Sequence, residues 1–140
     1  MKKSTLINGI VGAVVLYLLN WVFYGMSGVM DGYATEAGAA AGRADADMLQ
    51  VHLALGHAVI GIALATIYSK WARGTHSFMH GFELGAWVGI FTGVGMSLVW
   101  YATSNFMTST GHIIDGIWAI VSYGITCGVI SIMAGRGDSE

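Results

Sequence analysis

Asn20, His52, His57, Thr103, His112 and Asp115 all fall toward the same ends of four long apolar stretches, as those stretches alternate in direction. Ionisable groups are expensive in hydrocarbon, so each is by default a functional candidate, while those near a helix end can reach interfacial water instead. His57 lies deepest, roughly 14 Å into its helix at the α-helical rise. Two readings stay open there: a neutral, hydrogen-bonded histidine, and a proton relay or ligand contact. Asp115 falls within the first turn or so of its helix, where the helix dipole and nearby water both favour a carboxylate. His112, three residues earlier, shares its side and offers Asp115 a pairing partner or a second metal ligand. Asn20, His52, His57, His112 and Asp115 thus outline a candidate outward-facing polar pocket for a proton, an ion or a small ligand.

Other chemistries find less support. A bis-histidine haem needs two ligands at similar depth on different helices, and no second histidine matches His57. No cofactor and no metal site is expected. His76 and His80 share one face and form an interfacial polar patch, and Glu83 is placed to pair with Lys70 across a short turn. Cys127 excludes an internal disulfide, and the methionines are too dispersed for a copper relay. No nucleophile elbow, phosphate-binding glycine loop, paired-cysteine motif or HExxH occurs, which disfavours an enzyme. With a net charge of −2 and no basic stripe, nucleic acid is not an expected partner.

The elements that must carry these residues follow from composition. The chain is 55% hydrophobic and 10% charged, with 21 glycines and no proline, which makes a lipid bilayer its natural solvent. A span needs roughly 20 apolar residues. Four such stretches are expected at about residues 5–26, 48–69, 78–103 and 112–134, forming a single membrane domain over 1–140. Asp47 and Ser77 are candidate caps for the second and third spans. Residues 27–47 read as an acidic, flexible, partly helical outer loop. Lys2 and Lys3 before an apolar run imitate a secretory signal, but without a convincing cleavage site they read as the start of a retained helix.

Lys2, Lys3, Lys70, Arg73 and Arg136 fall on one side of this arrangement and only Arg43 on the other. The positive-inside rule then places both termini in the cytoplasm. The expected fold is all-α: a four-transmembrane-helix up-down bundle, N-in and C-in.

Gly81, Gly85, Gly89 and Gly93 recur every four residues, with a shorter echo at Gly124 and Gly128. Residues four apart share one helix face, and a face without side chains lets another backbone approach closely. Packing within the bundle and an interface between protomers or with a partner subunit both fit this stripe. An internal repeat is also suggested: Val22-Phe23-Tyr24-Gly25-x-Ser27-x-x-Met30 matches Val99-Trp100-Tyr101-Ala102-x-Ser104-x-x-Met107, and His52-x-x-x-Gly56 echoes His112-x-x-x-Gly116.

The tryptophan-tyrosine end of the first helix, the glycine-stepped third helix, Tyr101-Ala102-Thr103-Ser104-Asn105 and the Ile114-Asp115-Gly116 opening of the last helix are shared features. In these the chain resembles small bacterial four-helix inner-membrane proteins grouped under a domain of unknown function. That resemblance implies fold and location, and no activity. The leading expectation is a structural or accessory protein that forms a homo-oligomer or joins a membrane complex through glycine-lined faces. The alternative is a small transporter or ligand-binding protein that uses the polar pocket.

Overall fold

The computed structural model describes residues 2–137, all helix, turn or loop apart from one isolated bridge. Four helices are long and apolar enough to cross a membrane: α1 (Lys3–Met26), α3 (Gln50–Trp71), α4 (Phe78–Thr103) and α5 (Ser109–Gly137). A short α2 (Glu36–Ala41) and a 3₁₀ turn (Asp45–Asp47) lie between α1 and α3. The long helices agree with the expected spans to within about three residues at each end, the usual uncertainty of helix termini. Ser77 caps α4, its hydroxyl accepting from the His80 N–H at 3.1 Å. Asp47 does not cap α3; the capping position belongs to Leu49, which offers no side-chain acceptor.

α4 and α5 run antiparallel along the glycine stripe. A Cβ at Gly81 would overlap Cys127, one at Gly85 Tyr123, one at Gly89 Ile120, and one at Gly93 Ala119. The stripe is therefore filled by the chain's own α5. Gly124 and Gly128 in turn receive the rings of Phe82 and Phe78. α1 and α3 also run antiparallel, with backbone contact at glycine where Gly9 meets Ile62 and Gly61 meets Gly9 and Ala13.

The two hairpins meet chiefly through α1 and α5. Ile130 inserts at Gly12, and Phe23 stacks flat on Trp118 with ring centroids 4.2 Å apart. A buried cluster of Leu64, Ala65, Tyr68, Ala72, Leu84, Cys127 and Ile130 fills the middle and lower part of this junction. Large apolar residues such as Val14, Val59, Trp87, Phe91 and Ile117 face outward on all four long helices, as a lipid-facing surface requires.

Two ends are distinct. At the basic end, which bears Lys2, Lys70, Arg73 and Arg136, the buried Tyr68 hydroxyl lies 2.6 Å from Ser131 Oγ and 3.0 Å from His76 Nδ1, and it donates to the Thr75 carbonyl at 3.1 Å. Ser131 donates to the Ser77 carbonyl at 2.6 Å, so the α3–α4 turn is tied to α5. At the loop end, residues 27–49 are pinned rather than loose. Thr35 N–H donates to Phe106 O, Thr108 N–H donates to Tyr33 O, and Gly38 packs on the Phe106 backbone.

Candidate functional site

Above Gly61 large side chains, Tyr17 and Asn20 on α1 and His57 on α3, stand between the two helices. The gap holds a cavity of about 470 Å³ lined by Tyr17, Asn20, Trp21, Tyr24, Asp45 and His57 among others. Toward α4 and α5, a second, more open cavity of about 180 Å³ is lined by Thr92, Asp115, Ser122 and Tyr123. Asn20 and Tyr24 line both, so the two chambers share a wall.

That wall is held by hydrogen bonds whose directions follow from the groups themselves. The Trp118 indole can only donate, and its Nε1–H lies 3.0 Å from Asn20 Oδ1. This turns the Asn20 amide nitrogen to His57 Nε2 at 3.2 Å. Nε2 must then accept, which puts the ring proton on Nδ1, 2.8 Å from the Leu53 carbonyl that receives it. α1, α3 and α5 are joined at one level by this chain of three donors. Tyr17 packs edge-on against the His57 ring and donates to Gln50 at the cavity mouth.

On the α5 side Tyr24 donates to Asp115 at 2.5 Å. Two π-helical segments among the described residues contribute here: Trp21–Met26 supplies Tyr24, and Ile90–Gly95 supplies Thr92 and Gly93. A π turn widens the backbone by one residue, and such turns recur where a helix must redirect a side chain into a site. Below this level Leu16, Leu64, Thr126, Cys127 and Ile130 are all at most 3% exposed and close the interior.

Of the five expected pocket residues, Asn20, His57 and Asp115 come together on this divided cavity. His112 does not pair with Asp115. It turns to α4, where Nδ1 lies 2.6 Å from Ser97 Oγ and the ring meets Tyr101 edge-on, leaving Nε2 buried without a partner. His52 is exposed near the start of α3, away from both chambers. Thr103 bonds its own helix at the Val99 carbonyl. Glu83 and Lys70 form no ion pair; Lys70 instead neighbours Trp71 and Arg73 on an open depression beside His80, whose ring stacks on Trp71. Among the described residues no three His, Cys, Asp or Glu side chains gather as a metal ion would need.

Tyr17, Tyr24, Gln50, Thr92, Trp118 and Tyr123 complete the site and are absent from the sequence-derived set. For Tyr24 alone a signal lies in the suggested repeat, although that repeat matches His112 with His52 and not with His57. Asn20 stands four residues before Tyr24, Ser97 stands four before Tyr101, and each meets a histidine of the next long helix. Neither a family model, nor a curated protein, nor a solved structure matches the chain.

Proposed function

We propose that this is a small-solute binding or transport protein of the membrane, which admits a small cation, a proton or an organic ammonium ion, from the loop end into the divided cavity. The observation that carries this reading is the shared Asn20–Tyr24 wall, where three of the four long helices are bonded together at one level around polar space. Charge selects the sign of the guest. Asp45 and Asp115 line the two chambers, the rings of Tyr17, Trp21 and Tyr24 stand beside them, and neither Lys nor Arg lines either chamber. Aromatic faces with nearby carboxylates favour cations.

In the same proposal the chain is an up-down four-helix bundle with both termini in the cytoplasm, in a bacterial inner membrane. The loop end then opens outward, and the apolar closure below it separates the site from the basic end. Self-association or docking to a partner subunit through glycine-lined faces is less supported. Gly81, Gly85, Gly89, Gly93, Gly124 and Gly128 are each covered by the chain's own residues, so a homo-oligomer would have to use another face.

Tryptophan fluorescence of the detergent-purified protein, titrated with tetramethylammonium and tetraethylammonium and separately with pH between about 5 and 8, tests the reading. A saturable change is expected in the wild type, with His52→Leu keeping it and His57→Leu and Asp115→Asn losing it while their helical circular dichroism is intact. No saturable change in the wild type with any of these probes, or identical titrations for all four proteins, would sink it.

A further inference from the structure

The basic end holds a separate cavity of about 450 Å³ between α1, α3 and α5. Its charged walls are Lys2 at the start of α1 and Lys70 in the last turn of α3, joined by the hydroxyls of Ser4, Thr5 and Ser69. None of its described lining residues is a carboxylate. α1 begins without a capping side chain, because Lys2 occupies that position and has no acceptor to offer. The N–H groups of the first turn are therefore free to serve a guest.

Asn8 supplies an independent sign. Its side chain lines this cavity and is 8% exposed, yet it makes no hydrogen bond with any described residue. Side-chain amides this far buried are normally hydrogen-bonded within the fold. Neither of its polar atoms is fully sealed from solvent, so what exposure remains opens on the cavity. The set is rich in donors and positive charge, and the guest that complements it is a compact oxyanion.

We propose that this cavity binds a phosphate group, the chemistry shared by inorganic phosphate and the headgroup of an anionic phospholipid. Lys70 also faces the depression that holds Trp71 and Arg73, and Arg73, like Lys70, forms no ion pair among the described residues. The site thus continues into an unneutralised basic and aromatic border, where headgroups lie in the proposed orientation. This inference rests on residues at the opposite end from the cation cavity and stands or falls without it.

Thermal stability and native mass spectrometry of the whole chain in neutral detergent test it with four additives. These are inorganic phosphate, chloride at equal ionic strength, phosphatidylglycerol, and diacylglycerol as the same lipid tails without phosphate. Wild-type protein should be stabilised by a phosphate-bearing additive over its control. Lys2→Gln combined with Lys70→Gln should weaken that binding about tenfold, the scale of losing charge-assisted hydrogen bonds. Lys3→Gln removes one like charge outside the cavity and should leave it nearly unchanged.

Asn8→Leu separates a binding role from a structural one. The empty variant should melt at or above the wild-type temperature, because an unpaired buried amide has been removed, while phosphate no longer shifts it. A response to phosphatidylglycerol alone assigns the lipid headgroup, and a response to inorganic phosphate assigns the free anion. No difference between phosphate-bearing additives and their controls, an equal loss in Lys3→Gln, or a full phosphate response in Asn8→Leu overturns the proposal.

Discussion

The two hairpins of the chain differ in how far along their length they pack backbone against backbone. α4 and α5 touch along four successive glycine steps, from Gly81 at the basic end to Gly93 well above the middle. α1 and α3 have one such glycine step, Gly9 against Gly61, and above it they meet through side chains, Tyr17 and Asn20 against Gln50 and His57. Apolar lipid gives little reason for two apolar helices to associate, so close backbone approach and dispersion must supply it. Where glycines continue, the two backbones lie in contact. Where they stop, side chains as large as Tyr17, Trp21, Tyr24 and His57 hold the helices apart and leave room for a guest. Where the stripe ends at Gly93, a cavity of about 300 Å³ lined by Ser97, Tyr101, His112 and Gly116 opens between α4 and α5 as well. The run length of small residues at the contact thus sets how far along its length each hairpin stays closed.

Breaking the dense hairpin should have the largest effect. Gly85→Leu or Gly89→Leu drives a side chain into the Tyr123–Gly124 or Ala119–Ile120 backbone, which cannot yield as a flexible side chain can. Overpacking costs about 1–3 kcal/mol in a yielding core and more against rigid backbone. Both variants should fail to give a monodisperse, thermally cooperative protein in detergent. Leu98→Ala, at a position 64% exposed on the same helix, is the reference and should behave like the wild type. If Gly89→Leu and Leu98→Ala gave equal yield and melting temperature, the stripe would not be what holds this hairpin.

The open hairpin has a single point at which similar damage is expected. Gly61→Ala would place a methyl group against the Gly9 carbonyl and the Ala13 backbone, and one contact has to relax instead of four. A loss of about 1–3 kcal/mol follows, visible as a lower midpoint in thermal melts with the fold retained. A wild-type midpoint for Gly61→Ala would mean that α1 and α3 are held together by their side-chain contacts, Asn20 with His57 and Tyr17 with Gln50, rather than by this backbone step.

The difference between the hairpins was only half legible in the sequence. A strict four-residue glycine repeat announces a tight face, and hydropathy placed the spans, because both are properties of a single helix. What lies opposite a face is not such a property. Asn20, His57 and Trp118 come from three helices and meet only once those helices are packed. Asp115 and His112 suit each other at a three-residue spacing, yet rotation about α5 sends one to Tyr24 and the other to Ser97. The π segments leave no mark in composition, since shifting a hydrogen bond by one residue changes no side chain. Nothing in the sequence sets Asn8 apart, and its isolation appears only against the walls of the cavity at the basic end.

A subtler intervention tests whether the open hairpin is organised rather than merely loose. Trp118→Phe keeps an aromatic ring for Phe23 to stack on but removes the indole donor to Asn20. About 1 kcal/mol of stability should be lost, the net value of one such bond. More telling is the effect on His57. With its oxygen released, the Asn20 amide can turn over and offer an acceptor, so His57 no longer has to keep its proton on Nδ1. Side-chain nitrogen NMR should show a single Nδ1–H tautomer in the wild type and a tautomer mixture in the variant. A mixture in both proteins would mean that the network does not orient the ring.

The smallest effect should carry the opposite sign. Gly56 lies on α3 five residues from the tight step at Gly61, and a Cβ there would meet nothing within 4 Å. Its conformational freedom is a liability inside a helix, by about 0.8–1 kcal/mol relative to alanine. Gly56→Ala should therefore raise the thermal midpoint slightly, while Gly61→Ala on the same helix lowers it. Because Gly56 borders no residue of its own chain, it is also the α3 glycine at which another molecule could pack. If Gly56→Ala lowered stability or changed the mass of the detergent-solubilised particle, α3 would have a neighbour beyond this chain, and the open hairpin would be an interface as well as a cavity.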